Sequence, residues 1–346
     1  MSERRAFLDR AIGETRAVVT LNGRAEHLIV RRDDEDPRLA LGARHVAQVA
    51  SVEPAIGLAF LDLGQGTQAI LPFRSDARPV RGSAIEVEIR AEPRAGKLAT
   101  ARLAGTAEGP PRLLAPAPDP AEILARLVRS LDRIEGREAR MIADEAEAEA
   151  LETVHPLPGG GTLAIEPTRA LVAVDVDLGE RKGSDAKRAS RQANLAALGE
   201  AARLLRLKGL GGLVVIDLVG RGHDGAALLA AAREAFAPDN PGVAIGPVGR
   251  FGTMELSIPR RVRPVAERLC RSDGRPSDRT LAQRLIRRLA AEGEAQPGAR
   301  LLARCAPDIA RAGEPLGRAL ADRIGARFEI REDARMPREA LEVTSA

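Results

Sequence analysis

Three aspartates follow two apolar runs in the middle of the chain. Asp175 and Asp177 end the run LVAVDVD at 171–177, and Asp217 ends the run LVVID at 213–217. Residues two apart on a strand share a face, so Asp175 and Asp177 point the same way. If the two strands are parallel neighbours, the three carboxylates gather at the edge where ligands of open α/β sheets bind.

Carboxylates gathered in this way repel, by roughly 4 kcal/mol for a pair about 4 Å apart at an effective dielectric constant near 20. A shared proton, a basic partner or a hard divalent cation relieves that repulsion. Oxygen ligands with retained waters suit Mg²⁺, and Mg²⁺ beside water suits phosphate-ester hydrolysis. The alternative is structural, since Asp at a strand end often caps the next turn; three acids at one edge favour the metal.

The segment between the two runs decides whether the strands are parallel. Arg188–Lys208 predicts a helix, because apolar side chains recur at three- and four-residue steps, at Leu195, Leu198, Ala202 and Leu205. Gly209 would end it, and Ser184 or Asp185 would cap its start. A strand, a helix and a second strand in this length form a crossover unit, which would make the strands parallel and favours their being neighbours.

Composition describes a soluble globular protein of two or three domains. The chain has 346 residues, 44% of them hydrophobic and 29% charged. It has neither an apolar run of the roughly 18 residues that a membrane helix needs nor an apolar signal core at its N-terminus, so we expect no membrane association. Cys270 and Cys305 make no disulfide framework, which favours the cytoplasm. A net charge of +4 permits a nucleic-acid partner without requiring one.

Short strands dominate the N-terminal third. A hairpin is predicted from Arg16–Val19 and Glu26–Arg31 across Asn22-Gly23. Five short alternating runs follow, at His45–Val52, Gly57–Leu63, Gln68–Phe73, Ile85–Arg90 and Leu98–Leu103. This spacing favours a small OB-type barrel, which serves either for binding single-stranded nucleic acid or only for packing.

Mixed elements make up the rest, so the predicted fold class is mixed α/β. Thr106–Pro120 predicts a linker, because it carries five prolines. The remaining elements expected before residue 263 are a helix from Pro120 to Glu135, a strand at Arg140–Ile142, a helix from Asp144, a strand at Thr162–Glu166, a helix at Gly225–Phe236, and strands at Val243–Val248 and Gly252–Ile258. Those expected after it are a helix at Asp278–Glu292, a strand at Arg300–Cys305, a helix near Leu316–Ile324, a strand at Arg327–Arg331 and a tail from Glu332.

Several other residues near the acids have two interpretations. A basic group just past the first acidic pair either holds phosphates or forms a solvated helix face; it comprises Arg181, Lys182, Lys187, Arg188 and Arg191. His223 is expected to be a solvated loop histidine. Cys270 and Cys305 lack the CxxC spacing of a structural zinc site, which predicts ordinary buried or free thiols.

Three blocks of sequence carry a resemblance to a known family. GGTLAIEPTRALVAVDVDLG, NLAALGEAARLLRLKGLGGLVVIDL and VGRFGTMELS, within Gly160–Arg263, resemble the catalytic core of the ribonuclease E/G family. The stretch RAFLDRAIGETRAVVTLNGR is similar to that family's opening hairpin, and ARHVAQVASVEPAIGLAFLDLGQGTQAILPF to its S1-like OB domain.

The resemblance implies a set of site residues. The family's two metal-binding aspartates fall on Asp175 and Asp217, and Asp177 stands where relatives usually carry Asn. The RNA-contacting Phe of the OB domain falls on Phe60, with Ile70 in place of the second aromatic. A basic residue late in that domain falls on Lys97, and the arginine of the RFG turn falls on Arg250.

The resemblance also implies a domain order with two departures. It predicts a hairpin at 1–36 packing on the catalytic region, an S1-like OB domain at 37–105, and a linker with a reduced helical segment at 106–159. An RNase H-like and DNase I-like catalytic core follows at 160–263, and a small C-terminal α/β domain with a tail at 264–346. No match to the family's 5′-monophosphate sensor is found. Cys270 is followed by Arg-Ser-Asp-Gly rather than completing the CPxC zinc link, so neither zinc nor a zinc-bridged dimer is expected, and the oligomeric state stays open.

Together these features predict an Mg²⁺-dependent endoribonuclease that cuts single-stranded RNA and leaves 5′-phosphate and 3′-hydroxyl ends, with Mn²⁺ as the alternative metal. Asp175 and Asp217 would bind the metal, Asp177 would orient a ligand or water, and Phe60, Lys97 and Arg250 would hold the RNA. The alternatives are an RNA-binding protein of the same origin without catalysis, and a metal-dependent phosphatase acting on small phosphate esters.

Overall fold

The computed structural model describes residues 3–94, 96–128, 133–179, 186–239 and 242–345. It has a mixed α/β fold: a three-stranded N-terminal sheet, a closed barrel, a six-stranded sheet with helices, and a small C-terminal sheet. Within these described residues, no helix is long and apolar enough to cross a membrane.

The N-terminal sheet is antiparallel, with β1 at Arg4–Ala11, β2 at Glu14–Leu21 and β3 at Arg24–Arg32, in that order. The predicted hairpin is confirmed as β2–β3. Its turn residues Asn22 and Gly23 have φ of 51° and 78°, the left-handed conformation that a two-residue hairpin turn requires. Strand β1 was not predicted from the residue pattern, and it pairs along the full length of β2.

The five predicted strands of the second region form the closed barrel. They are β4 at Arg44–Glu53, β5 at Leu58–Gly64, β6 at Thr67–Pro72, β7 at Ala84–Ala91 and β8 at Ala99–Thr106. The strand order is β5-β6-β8-β7-β4, β6 and β8 are parallel, and pairing of β4 with β5 closes the ring. This is the order of an OB-like barrel. A further strand, β9 at Arg112–Ala115, pairs with β4, so the predicted linker was wrong at these residues.

Two helices connect the barrel to the second half of the chain. Helix α1 spans Pro120–Leu127, and its N-cap Asp119 forms a capping box with Glu122. Helix α2 spans Arg137–Leu151. The strand predicted at Arg140–Ile142 was therefore wrong. The residues 129–132, where the first helix was predicted to continue, lie outside the described residues.

The central sheet contains the two apolar runs. Its strands are β10 at Val154–Pro156, β11 at Thr162–Pro167, β12 at Val172–Asp177, β13 at Gly212–Asp217, β14 at Ala244–Val248 and β15 at Thr253–Ile258. Helix α3 at Ala186–Lys208 joins β12 to β13, and α4 at Gly225–Ala235 follows β13. The strand order is β10-β11-β12-β13-β15-β14. Strands β12 and β13 are parallel, as the crossover predicts; the residues 184 and 185, expected to cap α3, lie outside the described residues.

Strand alternation gives the central sheet two different faces. Val174, Ile216 and Met254 point into one apolar core shared with α2, α3 and α4. Residues of the opposite parity are exposed, such as Asp175 and Glu255, or half-buried, such as Ala173 and Val215. We call this second side the open face.

The C-terminal unit contains a helix pair and a small sheet. Helices α5, α6 and α7 span Val265–Leu269, Asp278–Ala295 and Pro307–Ile324, and strands β16, β17 and β18 span Leu301–Cys305, Phe328–Glu332 and Glu342–Ser345. Strand β16 lies between parallel β17 and antiparallel β18. Since β18 belongs to the sheet, the prediction of a tail after Glu332 was wrong for these residues.

A network of buried charges connects the N-terminal sheet to α2 and α6. Glu14 accepts hydrogen bonds from Arg32 at 2.7 Å and Arg287 at 2.6 Å. Glu147 accepts from Arg287 at 3.2 Å, from Arg284 at 2.8 Å and from Arg16 at 3.1 Å, and Arg16 also donates to Asp9. We call these residues the charge junction. Every buried carboxylate in it has a guanidinium partner, as burial of charge requires.

Candidate functional site

The carboxyl ends of β12 and β13 bring two of the predicted aspartates side by side. Asp175 and Asp217 are register partners in the parallel pair, and neighbouring strands lie about 4.8 Å apart. Both side chains are exposed, and both have the parity of the open face. The crossover therefore produces the juxtaposition that the sequence predicts.

Asp177 lies two residues further along the same face but has a different environment. Its Oδ1 accepts a hydrogen bond of 2.7 Å from the backbone N–H of Gly179. Its backbone is fixed by Gly161, where φ is +79° and an added Cβ would lie 2.3 Å from the carbonyl oxygen of Asp177. The structural interpretation, that a strand-end aspartate caps the following turn, thus describes Asp177 well, and its Oδ2 accepts no hydrogen bond from the described part of the chain.

Asp175 and Asp217 make no ion pair or side-chain hydrogen bond with the described part of the chain, although both are close enough to repel. Among the described residues, no group of three or more His, Cys, Asp or Glu side chains is placed to hold a metal ion. A cation here would consequently have two carboxylates as its protein ligands. That donor set fits Mg²⁺, which commonly binds one or two carboxylates and keeps water or phosphate oxygens in its other positions.

The turn between β14 and β15 adds an arginine guanidinium and an aromatic ring to the same edge. Thr253, the first residue of β15, is the register partner of Asp217, and Leu218 N–H donates to Gly252 O at 3.1 Å. Within this turn the Arg250 guanidinium lies 4.6 Å from the centroid of the Phe251 ring. The ring is 77% exposed, so it presents a free face beside the carboxylates.

Helix α3 holds the chain that follows Asp217 through one buried side chain. Asn194 is 1% exposed; its Nδ2 donates to Val219 O and its Oδ1 accepts from Val219 N–H, both at 3.0 Å. Neither Asn194 nor Phe251 was singled out from the sequence. Asn194 could have been noticed as an amide on the apolar stripe of α3, four residues before Leu198. Phe251 lies inside the VGRFGT block.

The basic residues expected beside the acids are only partly described. Arg181 and Lys182 lie outside the described residues. Lys187 and Arg188 are exposed in the first turn of α3, and Arg191 lies 3.5 Å from Asp224 in an exposed ion pair. His223 is half-buried rather than solvated, and its Nε2 has no hydrogen-bond partner in the described part of the chain. Both interpretations of the basic group stay open.

The predicted RNA-contacting residues of the barrel lie on its outer surface. Phe60 is half-buried on β5 between its register partners Ser51 and Ile70. Lys97 is exposed in the loop between β7 and β8, where its backbone pairs with Arg94. Burial and the nearby Arg260 lower the pKa of Arg94, which places this loop against the segment that follows β15.

Glu92 fixes the barrel to that segment. Its N–H donates to Arg261 O at 2.8 Å, and its Oε2 accepts from Arg263 N–H at 3.0 Å and from Arg268 at 2.9 Å. This contact is at the end of the sheet where Ile258 pairs with Gly212, five residue steps from the pairing of Thr253 with Asp217, or roughly 17 Å. The structure therefore places the Arg250 turn at the same edge of the sheet as the carboxylates, whereas Lys97 lies toward the other end of the strands.

The two cysteines lie apart from this edge. Cys305 is fully buried on β16. Cys270 is half-buried after α5, and burial raises the pKa of its thiol.

Comparisons with known proteins agree with the sequence blocks. Residues 126–261 match the model of the Ribonuclease E/G family. The chain is 37% identical over 107 residues to Ribonuclease E of Haemophilus influenzae and, over the same number of residues, to Ribonuclease E of Escherichia coli. It is 35% identical over 114 residues to the Ribonuclease E/G-like protein, chloroplastic, of Arabidopsis thaliana.

These matches are local. They cover 30%, 30% and 32% of this chain but only 11%, 10% and 11% of the respective relatives. The family match includes the central sheet from β10 to β15 and excludes the barrel. The resemblance seen in the sequence is thus confirmed: residues 126–261, which carry Asp175, Asp177, Asp217 and Arg250, are related to the ribonuclease E/G family.

Proposed function

We propose that this protein is a metal-dependent endoribonuclease acting on single-stranded RNA. The observation that carries the proposal is the side-by-side position of Asp175 and Asp217, exposed and without a basic partner in the described part of the chain, within the residues that match the family. A pair of adjacent unpaired carboxylates costs repulsion and is typical of a site completed by a cation.

In this proposal Asp175 and Asp217 hold Mg²⁺, or Mn²⁺ as the alternative, through carboxylate oxygens. When bound, the cation acidifies an attacking water and neutralises charge on the phosphate. Asp177 orients a ligand or water through its second carboxylate oxygen, and the Arg250 guanidinium holds a non-bridging phosphate oxygen. Cleavage leaves a 5′-phosphate and a 3′-hydroxyl.

The barrel, as an S1-like RNA-binding module at 37–105, holds the strand at a distance from the cut. Phe60 stacks on a base, Lys97 contacts a phosphate, and Phe251 stacks on a base beside the carboxylates. The RNA would run along the open face between these two ends of the central strands. The division into an RNase H-like and DNase I-like core at 160–263 and a C-terminal domain at 264–346, and the cytoplasmic location, remain parts of this proposal.

The test is cleavage of an end-labelled single-stranded RNA with Mg²⁺ or with EDTA. We expect Mg²⁺-dependent cutting by the wild type and a loss of about 10²-fold or more in Asp175→Asn and in Asp217→Asn, because each removes charge stabilisation at the reacting phosphate. Asp322→Asn, which changes an exposed aspartate on α7, is the matched control.

Two results would replace the proposal with one of its rivals. RNA binding that is equal in Mg²⁺ and EDTA, with no cutting, would indicate an RNA-binding protein without catalysis. Hydrolysis of a small phosphate ester that single-stranded oligonucleotides do not inhibit would indicate a phosphatase.

A further inference from the structure

The histidine in the loop between β13 and α4 has no role in the proposed reaction, yet its ring lies against the turn that carries Arg250 and Phe251. A Cβ placed on Gly252 would lie 3.2 Å from the Nε2 atom of His223. Since that is closer than Cβ atoms normally approach another heavy atom, the imidazole occupies the space beside the Gly252 Cα. The contact joins two loops that lie far apart in the sequence.

Backbone contacts at Gly252 determine where this turn lies. Gly252 N–H donates to Gly249 O at 3.1 Å, which closes the turn, and Leu218 N–H donates to Gly252 O at 3.1 Å, which ties it to the chain after β13. The side chains at the tip contact each other, with the Arg250 guanidinium 4.6 Å from the centroid of the Phe251 ring. Neither of these two side chains forms an ion pair or a hydrogen bond with the described part of the chain. Their position therefore depends on how the turn backbone is held.

The loop that carries His223 is itself fixed at both ends. At its start, Asn194 of α3 binds the backbone of Val219 through two hydrogen bonds of 3.0 Å. At its end, Asp224 is the N-cap of α4, and its Oδ1 accepts a hydrogen bond of 3.2 Å from Ala227 N–H. A ring on a loop held in this way can restrict the movement of the backbone against which it packs.

The imidazole contacts the turn by its shape rather than by a hydrogen bond. The Nε2 atom of His223 is inaccessible to solvent and has no hydrogen-bond partner in the described part of the chain. A buried polar atom without a partner lowers the stability of the fold, so such atoms are rare and need a reason. The ring therefore does not serve the stability of the fold through this nitrogen, and the feature that it packs against is Gly252.

We propose that His223 is a positioning residue, whose ring packs on Gly252 and holds the turn at 249–252 in place at the edge of the sheet that carries the two carboxylates. The inference rests on the proposed function, in which Arg250 contacts a phosphate and Phe251 a base. A turn that already has its bound conformation loses less conformational entropy when RNA binds, and this strengthens binding. His223 touches neither RNA nor metal in this arrangement, since it acts through the turn.

The first test follows the turn directly and needs no RNA. The chain has neither Trp nor Tyr, so Phe251→Trp introduces a single fluorophore at the tip of the turn. In that background, His223→Ala should increase the amplitude of fast local motion in time-resolved fluorescence anisotropy, because no ring then packs on Gly252. His223→Phe keeps a flat ring and should restore the smaller amplitude. His27→Ala, which removes a half-buried histidine on β3, is the matched control and should leave the amplitude unchanged.

The second test is a double-mutant cycle on the binding of a single-stranded RNA in EDTA. With Arg250 and Phe251 present, His223→Ala should weaken binding about tenfold, because the turn must then be ordered at the moment of binding. In the background Arg250→Ala/Phe251→Ala the same change should weaken binding by less than about twofold, since the side chains that it positions are gone. A general loss of fold stability would weaken binding equally in both backgrounds.

Three results would overturn the proposal. They are an unchanged anisotropy amplitude in His223→Ala, an amplitude in His223→Phe as large as in His223→Ala, and an equal loss of RNA binding in the two backgrounds. Each can be separated from a failure of the proposed nuclease, because the anisotropy needs neither RNA nor metal and the binding is measured without a divalent cation. Conversely, Mg²⁺-dependent cutting that requires Asp175 and Asp217 would stand even if His223 had no effect on the turn.

Discussion

Carboxylates occupy two contrasting settings in this molecule. In the charge junction, Glu14 and Glu147 are 0% and 2% exposed, and each accepts hydrogen bonds from two or more arginines. On the open face, Asp175 and Asp217 are exposed neighbours that have no basic partner in the described part of the chain. The junction carboxylates have partners because a buried carboxylate without one strongly destabilises the folded state. The two carboxylates of the open-face pair repel each other, which does not stabilise the fold. Their arrangement instead leaves room for a cation.

Removing a guanidinium from the junction should have the largest effect on stability. Arg16 is completely buried, and Arg16→Leu leaves Asp9 and Glu147 short of a partner. We expect the free energy of unfolding to fall by about 3–5 kcal/mol, as it does when one member of a buried ion pair is deleted. Urea denaturation at pH 7 measures it. Arg44→Leu, which removes an exposed partner of Glu86, should cost less than about 1 kcal/mol; equal losses would show that burial does not distinguish the two settings.

The junction should also make stability depend on acid pH through Glu147. Burial alone would raise the pKa of Glu147, but Arg287, Arg16 and Arg284 together lower it below its usual value. A lowered carboxylate pKa contributes stability above the unfolded value of about 4.3, and that contribution is lost as the pH falls through the folded pKa. The difference in unfolding free energy between wild type and Glu147→Gln should therefore be largest above about pH 5 and should shrink toward pH 3. A difference that is constant with pH would mean that the charge of Glu147 is not what stabilises the junction.

The open face should show the opposite response to the loss of a carboxylate. Without metal, Asp217→Asn should be as stable as the wild type or slightly more stable, because one repulsion of about 1 kcal/mol in a solvent-like dielectric is removed. With Mg²⁺, the wild type should gain about 2.7 kcal/mol at a concentration 100 times its Kd, and the variant should gain little. Thermal unfolding across an Mg²⁺ series measures both. Asp177→Asn keeps an acceptor for Gly179 N–H, so its stability should still increase with Mg²⁺. If Asp217→Asn gained as much stability from Mg²⁺ as the wild type, the cation would not bind at this face.

The open-face site was more predictable from the sequence than the junction, for a physical reason. Asp175 and Asp217 follow apolar runs joined by one amphipathic helix, and a crossover of that length favours parallel neighbouring strands, which is what the structure has. The junction depends on Arg16 meeting Glu147, 131 residues away, and no local pattern encodes such a contact. Whether an arginine is buried depends on elements that are distant in the chain.

The fold predictions that failed have two origins. Strands β9 and β18 have four residues each and pair with β4 and β16, and segments this short carry too little periodicity to predict a strand. The Arg140–Ile142 segment was assigned to a strand, but it lies inside a run of strong helix formers, and the alanines at 139, 143, 146 and 150 bury one helical face against the core. Local propensity and packing agree on the helix there.

Phe251 separates the two settings by the smallest expected effect: unlike the charge junction, its side chain should affect RNA binding without affecting stability. Its ring is 77% exposed and contacts the Arg250 guanidinium, so Phe251→Ala removes little buried surface and should leave the unfolding midpoint unchanged. Binding of a single-stranded RNA in Ca²⁺ or EDTA should weaken by about 1–3 kcal/mol, the range for one stacked base. Met141→Ala, which shortens an exposed apolar side chain on α2, is the control.

The salt dependence of RNA binding tests whether the Phe251 ring acts by stacking. Because stacking is not an ionic contact, the slope of binding against salt concentration should be the same in Phe251→Ala and the wild type, whereas Lys97→Ala should lower that slope by about one. A changed slope in Phe251→Ala would mean that the ring acts by holding Arg250 in place rather than by stacking.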